Sequence, residues 1–377
     1  MKACHLNHII GRCGPRVCPR ATVSLKYSTL GGYSRKSLPQ GLDQRVASVL
    51  TSALNASKSK ASWKNHEVAI RHIERAQEEF GIRLAIPFTK KMVWAYVAFL
   101  KQRGMKAESI KNYLSAVRSE HLVRGYCPEG LMPDLLGQFL DGMRKLGNQE
   151  GRNKERGAVT MERLMIIRQW IKRNIVGKGF RAVIWMTCAW LFWGALRPNE
   201  ALSLAHDKFA VDRTLQGRDV REGSVVDEEG RTLNCLFLKI KKPKEAKGAD
   251  TEIELIENGS KSCPWKAWTF FKKTKDGRVK SFEPVLRKPD GSLVTAKDIQ
   301  EVLNGSLGHL LGKKEFLSTH SFRSGLATEL AQQGMEDEEI MRQGRWKSSA
   351  FQTYVKLGRK NRTSKQIAIA RKIVRRS

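Results

Sequence analysis

The sequence has no acidic residue before Asp43, no Cys-x-x-Cys pair, no internal repeat, and no apolar run long enough to cross a bilayer. Each absence excludes something. A stretch that is basic, rich in Ser, Gly and Pro, and free of acids cannot assemble a core, so residues 1–42 read as a disordered arm. The same composition resembles a mitochondrial transit peptide. The cysteines Cys4, Cys13, Cys18, Cys127, Cys188, Cys235 and Cys263 are odd in number and scattered, which argues against a disulfide framework and for a reducing compartment. Cys4, His5, His8, Cys13 and Cys18 crowd the N-terminus, but their spacing matches no common zinc site, and no metal is expected. The longest apolar run, Val183 to Leu196, is shorter than a bilayer-spanning helix and reads as a buried core helix, so no membrane partner is expected.

What is present in excess is positive charge. The chain of 377 residues carries 69 Lys and Arg against 37 Asp and Glu, a formal net charge of +32. Nucleic acid is the usual counter-polyanion, because cationic side chains displace condensed counterions from phosphates. The length suits two packed domains.

From Asp43 to Gly147 apolar residues recur at three- and four-residue spacing, as in amphipathic helices. Four or so helices are predicted, around Trp63 to Ile73, from Thr89 to Gly104, from a Ser109 cap to Gly125, and around Leu136 to Met143. Their polar faces carry Lys58, Lys60, Lys64, Lys90, Lys91, Lys106 and Lys111. Singly each reads as a solvated lysine; together, on so basic a chain, they read as a DNA-facing surface. Residues 148–158 form a polar linker, and Thr160 caps the first helix of a second domain, 159–362. There the period changes: Leu236, Leu238 and Ile240 alternate with polar or aromatic neighbours, and Thr251 to Ile256 alternates again, which predicts a β-hairpin. After Thr295 the pattern is helical to the end apart from short turns, and 363–377 reads as a basic amphipathic helix. The fold class is therefore mainly α with a small β-hairpin or sheet, in two domains.

Four short pieces of the second domain hold residues suited to phosphoryl transfer: Arg197-Pro-Asn-Glu200 after the apolar helix; the hairpin lysines around Lys244; His320-Ser-Phe-Arg323; and Gly344-Arg-Trp346 followed, eight positions after the Trp, by Tyr354. Taken singly each has a plainer reading. Arg197 is an ion-pair partner of Glu200, the lysines a solvated turn, Tyr354 a half-buried aromatic, and H-x-x-R a pair that chance supplies often.

In order and combination, R-x-x-E, a hairpin Lys, H-x-x-R, W and Y resemble the tyrosine recombinase family, which includes phage integrases, chromosome-dimer resolvases and recombinases of mobile elements. The strings HSFRSGLAT and GRWKSSAFQTYVK are most similar in style to those of eukaryotic mobile elements. The likeness is strong from His320 to Tyr354, good at Arg197 and weak at the lysine, where Pro243 precedes Lys244 and Lys242 and Lys247 compete. Members commonly have Ser-Lys there, and many carry His where this chain has Trp346.

The resemblance implies a helical core-binding (SAM-like) domain at 43–147 and an α-rich DNA-breaking and rejoining domain after it. It implies that Arg197 and Arg323 clamp phosphate oxygens, Tyr354 is the nucleophile and His320 its proton acceptor. Lys244 would protonate the leaving oxygen, Trp346 donate an N–H to phosphate, and Glu200 orient a basic residue. It implies no cofactor, double-stranded DNA as partner, a dimer on a site and a tetramer in synapsis. The location would be the nucleus in a eukaryotic host, the cytoplasm or nucleoid in a bacterium. Two other readings use the same residues: a type IB topoisomerase, and a DNA-binding protein derived from a mobile element that no longer cuts.

Overall fold

The structure, a computed structural model, describes residues 38, 41–57, 60–81, 83–149, 155–241, 250–274, 279–313, 315–346 and 351–352. The N-terminal arm, except for residues 38, 41 and 42, Lys58, the hairpin lysines Lys242, Lys244 and Lys247, Tyr354 and the C-terminal helix expected at 363–377 all lie outside the described residues, as does the side chain of Lys60. The chain divides into two compact units, Met1–Glu150 and Gly151–Ser377. Mainly helical structure with small sheets, as expected from the sequence, is what is observed.

The first unit consists of α1 (Gln44–Ala56), α2 (Lys60–Phe80), α3 (Lys90–Gln102), α4 (Ala107–Val123) and α5 (Leu136–Gln149). Its core takes one apolar stripe from each of several helices: Ile70 and Ile73 from α2, Val93, Tyr96 and Leu100 from α3, Ile110, Leu114 and Val117 from α4, and Leu140 from α5. Thr89 caps α3, its side chain accepting from the Met92 N–H at 3.2 Å, a contact worth about 1 kcal/mol. The next helix starts earlier than its Ser109 suggested. Its N-cap is Lys106, and Ala107 and Glu108 fill the first turn, where a strong helix former and an acid near the positive end of the dipole are both favourable. Tyr96 is fully buried and satisfies its hydroxyl by donating to the Ala69 carbonyl at 2.9 Å. Of the lysines expected on a DNA-facing surface, Lys64, Lys90, Lys91, Lys106 and Lys111 are exposed, and Lys90 lies 3.4 Å from Asp134.

The expected linker at 148–158 is structured at both ends. α5 continues to Gln149, and β1 (Glu155–Arg156) pairs in parallel with a strand that lies much later in the chain. Two-residue strands leave no periodicity for sequence reading to find.

The second unit continues with α6 (Met161–Asn174), α7 (Lys178–Trp193), α8 (Pro198–Ala201), β2 (Val220–Val226), β3 (Thr232–Ile240), β4 (Thr251–Ile256), α9 (Pro264–Thr274), α10 (Ala296–Leu307), β5 (Glu315–Phe316), α11 (Ser321–Gln333) and α12 (Asp337–Gly344). α6 is capped by Thr160, as the sequence indicated. α7 is the apolar run: every residue from Ala182 to Phe192 is buried, and each large side chain there gains roughly 1.5–3 kcal/mol over exposure. Among the described residues no helix is long and apolar enough to cross a membrane.

β3 and β4 form the expected hairpin, with Leu238 opposite Ile253 and Ile240 opposite Thr251. β2 adds antiparallel to the other edge of β3. Its sequence, VREGSVV, places Arg, Glu and Gly in a half-exposed edge strand, so alternation is too weak to announce it. The sheet's buried face meets α9, and α9 packs on α7 through Trp190 and Trp268, 5.5 Å apart.

Candidate active site

Three pieces of the second unit meet at the end of α7. The first is the turn from Gly194 to Glu200. Ala195, fully buried, has φ +43, and with Arg345 at φ +55 it is one of two non-glycine residues with positive φ among the described residues. That conformation costs an L-residue of order 1–3 kcal/mol and persists only where the surroundings hold it. Pro198 then opens α8, its fixed φ suited to a first helical position. Glu200 reaches back so that its carboxylate accepts from the Arg197 N–H at 2.9 Å and from the Arg197 guanidinium at 2.9 Å.

The second piece is the N-terminus of α11. His320 is the N-cap and Arg323 the third residue of the helix. The chain leaving β1 passes directly beneath: the Gly157 N–H donates to the Phe316 carbonyl at 2.9 Å and the Val159 N–H to the Ser321 carbonyl at 2.8 Å. A Cβ on Gly325 would lie 1.8 Å from the Val159 carbonyl oxygen, so only glycine lets the helix come this close. Arg163 grips Glu315 with both terminal nitrogens, at 2.6 and 3.1 Å, and fixes the same junction. Arg323 is buried, donates through Nη1 to the Ala195 carbonyl, and lies 4.4 Å from the centre of the Trp346 ring.

The third piece is the end of α12. Arg345 closes the helix, and its Nη2 donates to Glu200 at 3.0 Å and to the Ala195 carbonyl at 3.3 Å. A Cβ on Gly344 would overlap the Trp346 ring at 1.6 Å, so glycine is what allows the indole to fold back over the helix end. Phe351 is buried with Ala327, Ala331 and Ile340 in a small cluster against which Trp346 packs.

Electrostatically the site is a carboxylate set among arginines. Burial pushes the Glu200 carboxyl up, but Arg345, the Arg197 N–H and the Arg197 guanidinium outweigh it and hold it below the usual carboxylate range. The imidazole of His320 is held below its ordinary value by partial burial and then by the charges of Arg156, Arg323 and Arg197. A ring so placed is neutral near pH 7 and able to accept a proton. Lys241, at the base of the hairpin, is committed elsewhere: its Nζ lies 2.6 Å from Asp219 and 3.0 Å from the Gln216 side-chain oxygen.

Of the site residues expected from sequence, Arg197, Glu200, Arg323 and Trp346 are thus joined directly or through Arg345 and the Ala195 carbonyl, and His320 begins the helix that carries Arg323. Lys244 and Tyr354 are not described. Sequence reading missed Arg345, although it stands inside the Gly344-Arg-Trp346 string, and it missed Arg156, which only strand pairing brings near His320.

No protein-family model matches the chain, and no curated protein matches its sequence. Solved structures do match it in fold. The XerH site-specific recombinase bound to palindromic difH substrate, in a post-cleavage complex, aligns over 77% of this chain and 75% of its own with a TM-score of 0.52 and 15% identity. A lambda integrase dimer bound to a COC' core site aligns over 83% and 75% with a TM-score of 0.51 and 14% identity. The fold is that of the tyrosine recombinases and integrases.

Proposed function

We propose that this chain is a site-specific DNA recombinase that cuts and rejoins duplex DNA through a covalent link between a 3′-phosphate and Tyr354. The observation that carries the reading is the gathering of Arg197, Arg323 and Trp346 around the Ala195 turn, with His320 at the head of the helix that carries Arg323. A phosphodiester under attack gathers negative charge on its non-bridging oxygens, and guanidiniums are suited to hold them because they are planar, bidentate and always charged.

In this scheme the Tyr354 oxygen attacks phosphorus while His320 accepts the phenolic proton. The bond to the 5′-oxygen breaks, and Lys244 supplies the proton that the leaving oxygen needs. Attack by the 5′-hydroxyl of a second strand reverses each transfer, so the bond energy is conserved and no nucleotide is consumed. Glu200 sets the angle of Arg197. Two protomers would occupy a site and four a synapse, and the exposed lysines of the first unit would meet the backbone of the duplex. The fold likeness to DNA-bound recombinases supports this reading, and the motif style favours a mobile element working in the nucleus of a eukaryotic host.

The test is trapping. Wild-type protein with end-labelled duplexes, selected from a random-sequence library by the protein itself, is expected to give a covalent band on a denaturing gel. Tyr354→Phe is expected to give none while binding the same DNA. A band that survives in the variant excludes Tyr354, and relaxation of a single supercoiled circle without strand exchange between sites would make the protein a topoisomerase.

A further inference from the structure

Arg345 is an odd residue to find where it is. A helix commonly ends on a glycine in the left-handed conformation, and Gly334 does this for α11 at φ +90. α12 instead places Arg345 there at φ +55, with glycine one residue earlier. The side chain that makes this backbone unfavourable is also what holds it. Nη2 alone carries the bonds to Glu200 and to the carbonyls of Gly194 and Ala195, at 3.0, 3.4 and 3.3 Å, while Nε and Nη1 are buried with no hydrogen-bond partner among the described residues.

The charge count gives the arrangement a consequence. Glu200 is 5% exposed and touches two guanidiniums, each with a side chain 15% exposed. Paired with Glu200 alone, Arg197 would belong to a neutral couple in a poorly hydrated place, with little net attraction left for a phosphate. Arg345 shares the carboxylate, so that the three groups together keep one positive charge. Arg345 is also the stronger of the two in keeping Glu200 ionised.

We propose that Arg345 is a positioning residue for strand cleavage: by sharing Glu200 it keeps that acid from engaging Arg197 alone, and it ties the chain segment bearing Trp346 to the Arg197 turn. This rests on the function proposed above, and the two fail in different ways.

The experiment uses the full chain and library-selected duplexes, and follows the rate of covalent-band formation together with affinity for the same DNA. Arg345→Met, which keeps length and removes charge, is expected to slow the band about a hundredfold with affinity nearly unchanged. The double variant Arg345→Met with Glu200→Gln removes the acid that Arg345 no longer balances, and is expected to recover about tenfold of that loss. A residue that only braced the fold would give no such recovery. Arg345→Lys, which keeps charge, is expected to fall between wild type and Arg345→Met, and it provides the comparison if the methionine variant does not fold. A variant as fast as wild type, or a double variant no faster than the single, overturns the proposal. A wild-type protein that forms no covalent band overturns the function itself, and this inference with it.

Discussion

Among the described residues Glu120 in the first unit and Glu200 in the second are each buried between two basic groups, and the two cases differ in instructive ways. In the first unit Glu120, 7% exposed, takes His66 at 2.6 Å and Arg124 at 2.8 Å. His66 and Glu120 sit on regular helix, Arg124 is the C-cap of α4 one turn after Glu120, and none of the three has a positive φ. In the second unit Glu200 takes Arg197 and Arg345, with Arg323 on the adjoining carbonyl and two left-handed non-glycine residues framing the cluster. In both, burial pushes the carboxyl up and the basic partners more than offset it. The difference lies in the partners and the backbone. Glu120 is met by a histidine and one arginine, whereas Glu200 is shared by two arginines while a third bonds the adjoining carbonyl. Left-handed backbone at non-glycine residues is what the second cluster has and the first lacks, and such strain persists only where the surroundings hold it.

The comparison breaks most sharply at Arg323. This guanidinium bonds the Ala195 carbonyl and stacks on Trp346 at once, which the point charge of lysine cannot do. Arg323→Lys is therefore expected to cut covalent-complex formation about a thousandfold, or about 4 kcal/mol, with DNA affinity little changed. Single-turnover rates with selected duplexes check this. A variant within a few-fold of wild type would mean that the guanidinium of Arg323 has no part in cleavage.

How much of this was legible beforehand follows from the range of each interaction. Thr89 and Thr160 announce their helices because a cap is local, and β3 with β4 announces itself because alternation is local. The expected pairing of Arg197 with Glu200 spans three residues and was visible too. Arg345 on Glu200 joins residues 145 positions apart, and Arg156 reaches His320 only through the pairing of β1 with β5. No spacing rule covers such contacts. The motif strings pointed to the site because the residues that meet there cluster at a few places in sequence, even though the contacts that hold them do not.

The middle-sized effect concerns the other carboxylate. Glu120→Ala leaves Arg124 and His66 without their shared partner in a buried place, and is expected to cost the first unit about 3 kcal/mol. Denaturant unfolding followed at the helix signal measures it. Cleavage per folded molecule should be unaffected, and an equal loss in both readouts would show that Glu120 is more than a structural ion.

The smallest effect is a shift in pH dependence, and it separates His320 from the structural histidines. His121 is buried, accepts the Phe88 N–H at Nε2 at 2.7 Å, and is held below its ordinary value chiefly by burial. A histidine whose native pKa is lowered binds fewer protons folded than unfolded between the two values. Its contribution therefore makes stability rise with pH across that window and level off above 6.5, the unfolded value. Both histidines share this sign, so stability alone cannot tell them apart. Cleavage can, because only His320 is proposed to take the proton from Tyr354. The rate should hold as pH falls to 6.5 and decline only below it, where the neutral ring is lost. Arg156→Gln removes one of the charges that depress His320 and should move that decline toward higher pH, leaving the plateau rate near wild type. Rates of covalent-complex formation between about pH 5 and 8 test this in both proteins. An acid limb at the same pH in each would mean that Arg156 does not act on His320, or that another group accepts the proton.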